Sequence, residues 1–172
     1  GATWFDKKYI EQFMYETFET PRYLRGQIEI SYVPYTAEWQ VSRKSMVRYN
    51  DVAAFTTYGT DRASAYRLLE DALNLRDIRI YDTIEDADGR ERRVLNAKET
   101  TLAAQKQQLI RDAFKDWIWK DPERRETLVR QYNEEMNSTR PREYDGSHIV
   151  FSGMNPEITL REHQKNAIAH VL

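Results

Sequence analysis

Arginine is the residue type through which this chain could do most chemistry. Arg90, Arg92 and Arg93 crowd beside the Asp88-Gly89 pair, and Arg140 and Arg142 flank Pro141. Arg124 and Arg125 follow Asp121-Pro122, and Arg43, Lys44 and Arg48 form a further basic group. Guanidinium and ammonium groups so placed could grip the phosphates of DNA, giving affinity that is sensitive to salt and indifferent to sequence. Arg90, Arg92, Arg93, Arg140 and Arg142 are the DNA-contacting candidates, because a turn or a loop would project them. Glu85, Asp86, Asp88, Glu91, Glu123 and Glu126 lie alongside. Each group therefore also reads as a solvated surface with local ion pairs.

Other chemistries find less support. His163 and His170 are seven positions apart and could share a helix face, but a metal pair prefers a spacing of about four, and His148 is no obvious third ligand. No metal site is expected. Ser64, Ser147 and Ser152 have no His and Asp pattern of the nucleophilic type. The six glycines are scattered and no G-x-x-x-x-G-K-[ST] string occurs, so no triphosphate cradle is expected. Pro34-Tyr35 follows a valine and does not supply the Asn/Asp-Pro-Pro-aromatic box of an adenine methylase. No catalytic residue is assigned.

The 172 residues carry a formal charge of −2, with 40% hydrophobic and 31% charged residues. Those values suit one soluble domain, with or without an arm, and argue against a strongly basic nucleic-acid module. The chain has no cysteine, which excludes disulfides and thiolate metal sites and fits a reducing cytoplasm. No apolar run approaches the ~18 residues of a membrane span, so no membrane partner is expected.

Four strings point further. Leu160-Arg161-Glu162-His163-Gln164 opens an apolar-periodic helix at the end of the sequence. Before it come Tyr132 to Asn137, then Arg140-Pro141-Arg142-Glu143-Tyr144-Asp145-Gly146-Ser147-His148, then Phe151-Ser152-Gly153-Met154-Asn155-Pro156. Together they resemble the stretch joining an adenine-specific DNA methylase region to a Swi/Snf-like helicase in very large proteins of conjugative elements and phages. The resemblance is clearest over residues 95–172 and fainter over 4–82. It implies a parent that uses ATP and Mg on DNA, with methylase and helicase regions adjoining this piece and both catalytic centres outside it. It also implies that Gln164 would read adenine, with Arg161 or Leu160 shaping that pocket, once the motor is present. A carboxamide can donate to and accept from an adenine edge at once. The same ending also reads as a plain amphipathic helix.

The elements that must position these groups follow from periodicity. Residues 3–20 form an amphipathic helix with Ile10, Phe13, Met14 and Phe18 inward and Pro21 as its stop. Residues 27–33 and 38–42 form a hairpin. Asn50-Asp51 cap a short helix that Gly59 ends, and 61–74 form a second. Residues 78–81 and 92–95 form a second hairpin around Asp88-Gly89. Residues 96–120 form the longest helix, with Leu102, Leu109, Ile110, Ala113, Phe114, Trp117 and Ile118 as its buried stripe. A last helix runs from Asp121-Pro122 to about Asn137, with Leu128, Val129, Tyr132 and Met136 on its apolar side. The class is α+β, mainly helical with two hairpins, and its middle is similar to a winged helix. The domain reading is an accessory body at 3–137, a linker at 138–157 and the first motor helix at 158–172. The expected role is non-catalytic: engaging DNA, or coupling DNA contact to the ATPase. The alternatives are an interdomain scaffold without DNA contact and, less supported, a small independent enzyme. Segregated arginines would favour DNA. Mixed charges with an exposed apolar patch would favour the scaffold, and a polar pocket the enzyme.

Overall fold

The first helix begins where a side chain replaces a missing backbone partner. Asp6 accepts a hydrogen bond from the Lys8 amide at 3.0 Å, and α1 (Lys7–Thr17) follows. The computed structural model describes residues 5–138, in which α1 is followed by β1 (Ile30–Val33), β2 (Glu38–Val41), a π-helical turn (Ala53–Thr57) and α2 (Ala65–Leu73). Then come β3 (Tyr81–Glu85), β4 (Glu91–Leu95), α3 (Ala97–Lys120) and α4 (Pro122–Ser138). The mainly helical α+β class with two antiparallel hairpins is the observed one. One compact unit runs to Tyr132, inside α4, and the described part of the other is only the end of that helix.

Helix ends are set by backbone geometry more than by proline. α1 does not reach Pro21: Glu19 takes a left-handed conformation (φ 51°) and the Thr20 amide bonds back to the Tyr15 carbonyl at 3.0 Å. α2 ends in the same way. Leu75 (φ 56°) is left-handed, its amide bonds to the Ala72 carbonyl, and the Arg76 amide bonds to the Asp71 carbonyl at 2.8 Å. Leucine is a costly residue there, and it is 77% exposed, so its side chain recovers little by packing. Leu75→Gly is expected to raise stability by about 1 kcal/mol, read as a higher urea midpoint at unchanged slope.

Residues 5–132 share one core. Ile10, Phe13, Met14 and Phe18 of the α1 region are buried as expected, with Ile28, Ile30, Trp39 and Val41 of the first hairpin region and Tyr66, Leu68 and Leu69 of α2. The Tyr66 hydroxyl meets the Thr20 hydroxyl at 2.7 Å, and burial pushes the phenol up to about 12. Outward amides on both strands of the first hairpin are met by side chains of α1, of α2 and of the α2 C-cap. Glu11 accepts from the Ile30 amide, Glu70 accepts from the Val41 amide, and Asn74 both accepts from the Trp39 amide and donates to its carbonyl, all at 2.8 Å.

Three expectations need correction. The buried line of α3 is Ala103, Gln107, Ile110 and Trp117, whereas Leu102 and Leu109 are 39% and 43% exposed. α3 packs closely on α2, so an alanine and an amide occupy the contact; the Gln107 amide donates to the Arg76 carbonyl at 3.1 Å, beyond the end of α2. The second hairpin also starts later than expected. Ile78 and Ile80 are buried but belong to no strand, because the backbone of Ile80 is hydrogen-bonded by the Thr100 hydroxyl and the Asn96 amide of the α3 start. The strand proper contains the polar residues Thr83 and Glu85. Finally, a winged helix needs a groove-facing second helix. α2 instead packs into the interior, and Arg67 is its one exposed residue.

Candidate functional site

The hairpin that carries the sequence-predicted arginines separates them. Across β3 and β4, Thr83 pairs with Arg93 and Ile84 with Arg92. Successive strand residues point to opposite faces, so Arg92 and Arg93 diverge. Arg93 lies over the Tyr81 ring at 4.6 Å. Arg90 sits in the turn, where Gly89 (φ 73°) allows the reversal and where Glu85, Asp86, Asp88 and Glu91 surround it in sequence. The three arginines therefore form no single basic face.

A different grouping gathers around Tyr81. Arg62 donates to Asp82 at 2.7 Å and to the Tyr81 carbonyl at 2.8 Å. Arg67 donates to the Arg62 carbonyl at 3.3 Å. The hydrogen bonds from Arg62 and Asn96 hold the Asp82 carboxyl below the usual carboxylate range. Arg62 and Arg67 were absent from the sequence candidates because they flank the Ser64 cap and no turn signal marks them. Arg140, Arg142, Leu160, Arg161, Gln164 and the three histidines lie outside the described residues. Among the described residues no cluster of His, Cys, Asp or Glu could hold a metal ion, and no helix is long and apolar enough to cross a membrane.

The joined ends of α3 and α4 make an apolar face. Trp119 is 63% exposed, Val129 51% and Tyr132 47%. With Phe5, Ile118 and Leu128 they line a shallow groove of about 200 Å³. The Arg125 guanidinium caps it over the Trp119 ring at 5.4 Å. Val129 and Tyr132 are expected on the inward side of α4; among that helix's described side chains only Leu128 is buried, and Met136 lies outside them.

A polar cleft of about 470 Å³ is lined in part by Trp117. The Trp117 indole donates to Glu16 at 2.6 Å, and Gln12 donates to the same carboxylate at 2.9 Å. Burial pushes Glu16 up, but these two bonds and the nearby Arg124 and Arg25 charges outweigh it and hold the carboxyl below its usual range. The Arg124 guanidinium stacks on the Trp117 ring at 3.4 Å. Sequence reasoning missed this grouping, since Glu16 and Trp117 are 101 positions apart. The available signal was chemical: a tryptophan in a buried stripe needs a partner for its N–H.

Fold and surface together define a helical α+β domain with a mixed-charge hairpin, one apolar end face and one charged cleft. The chain belongs to the family described as a domain of unknown function (DUF8437), which matches residues 1–138. No curated protein and no solved structure matches it.

Proposed function

We propose that residues 5–138 act as a non-catalytic coupling domain, which seats a neighbouring protein surface on the α3–α4 end face. The observation that carries this reading is the exposed Trp119–Val129–Tyr132 strip, because large aromatic side chains presented beside an arginine are typical anchors of protein interfaces. The occupant we assign is the apolar face of a helix carrying a carboxylate, which would pair with Arg125. The resemblance over residues 95–172 names the source: the Swi/Snf-like motor or the methylase region of a mobile-element protein, with ATP and Mg used by that motor. In this reading the domain works in the cytoplasm, on a parent that processes DNA.

A test is calorimetric titration of the domain with such a motor or methylase region supplied in trans. Binding that Trp119→Ser and Val129→Ser each weaken about tenfold or more is the expected result. Absence of binding to either region, or binding that both variants leave unchanged, would overturn it.

DNA engagement is the second reading, favoured by the Arg62, Arg67 and Arg93 grouping around Tyr81. It predicts salt-sensitive anisotropy changes with duplex or forked DNA that are lost on Arg62→Ala and Arg93→Ala. The interleaved carboxylates and the net charge of −2 make it the weaker of the two.

A further inference from the structure

Arg124 is an unusual guanidinium. Its side chain is only 10% exposed, and Nε is buried with no hydrogen-bond partner among the described residues. Its nearest carboxylate contact is Asp121, at 3.8 Å, beyond hydrogen-bond range. The Trp117 face satisfies the cation from one side, but a face offers nothing to the N–H groups in the guanidinium plane. A charge taken this far from water normally has hydrogen-bonded partners. Arg124 also lines the 470 Å³ cleft, a volume within the range of small-molecule sites.

The rest of the lining says what kind of molecule would fit. Lys120 adds a second cation, while Glu16 and Asp116 bring two carboxylates, so the four charges cancel. Glu16 is engaged by Trp117 and Gln12, whereas Asp116 is exposed. A simple anion would meet the carboxylates, and a simple cation would meet Arg124 and Lys120. A ligand bearing both charges at short separation meets each group with its complement. Thr17 and Tyr58 add hydroxyls at the wall.

We infer that this cleft is a binding site for a small zwitterion of the amino-acid type, with its carboxylate on Arg124 and Lys120 and its ammonium on Asp116. Arginine suits the carboxylate because its planar fork can donate two parallel hydrogen bonds. The site is separate from the α3–α4 end face and does not depend on the coupling role.

Matched probes test it. L-alanine carries both charges, propionate lacks the amine, and ethylamine lacks the carboxylate. Each would be titrated at constant ionic strength into the ¹⁵N-labelled protein, following the Trp117 indole N–H resonance. L-alanine is expected to give a saturable shift with an affinity roughly tenfold or more above either half-ligand. Arg124→Gln and Asp116→Asn should each abolish saturation, and the amide spectrum reports in the same experiment whether each variant is folded. Should Arg124→Gln unfold the protein, Lys120→Gln, at an exposed position, takes its place and is expected to weaken L-alanine binding. The inference is overturned if L-alanine gives no saturable shift, if propionate alone binds as tightly, or if folded variants bind like the parent.

Discussion

Replacing Gly59 with alanine is expected to destabilise the domain by about 3 kcal/mol or more, lowering the melting temperature by about 10 °C. A Cβ at this position would stand 2.0 Å from the Ala54 carbonyl oxygen and 2.7 Å from the Ala65 amide nitrogen. Both are backbone atoms, one in the π-helical turn and one at the first residue of α2. No side-chain rotation relieves the clash, so one element must move. Neither is free to do so. The Lys106 ammonium of α3 holds the Thr56 and Thr57 carbonyls at 2.7 and 3.1 Å, and Ala54 and Ala65 are fully buried. Gly89→Ala is the comparator. It meets no atom nearer than the Glu85 carboxylate at 3.6 Å and pays only for its positive φ, about 1 kcal/mol. Thermal unfolding followed by circular dichroism separates the two, and equal losses would contradict the steric account.

Phe13→Ala should have the second large effect, about 3–5 kcal/mol. Phe13 is fully buried, and its ring meets Phe114 at 5.0 Å, Trp117 at 5.8 Å and Phe18 at 6.0 Å, each edge-on or nearly so. The loss therefore combines buried area, three oriented ring contacts and the cavity left behind. Phe13→Leu keeps most of the volume and should cost about 1.5 kcal/mol. Because Trp117 forms one wall, the alanine variant should also change near-ultraviolet dichroism in its folded state. A denaturant midpoint close to that of the parent would show that the surrounding rings close the gap.

Much of this architecture was legible where one residue type had one physical use. The Ile10, Phe13, Met14 and Phe18 pattern gave the inward side of the α1 region, and Asp88-Gly89 gave the second turn. Asp121-Pro122 gave the α3–α4 break. What periodicity could not see was tertiary preference. Leu102 and Leu109 are apolar enough for a core, yet close packing on α2 selects Ala103 and Gln107. Residues 78–80 have strand composition, yet the backbone partners of Ile80 come from the start of α3. The arginines were visible as residues and invisible as a surface, because strand parity sends Arg92 and Arg93 apart while folding brings Arg62 to Tyr81 and Arg67 to the Arg62 backbone. The charged cleft escaped altogether, since its carboxylates lie on α1 (Glu16) and α3 (Asp116) and its cations on the last turn of α3 (Lys120) and on α4 (Arg124).

The side chains that close the first hairpin carry a consequence for behaviour at high concentration. A two-stranded ribbon normally offers two rows of unmet amides on which another chain can grow a strand, the first step of fibril formation. Here Glu11 meets the outward amide of Ile30, Glu70 that of Val41, and Asn74 both groups of Trp39. A third strand would have to displace two carboxylates anchored in helices and the amide of the α2 C-cap. At these positions the ribbon resists widening, and the same three polar side chains that look like surface decoration in the sequence serve as guards against self-templating.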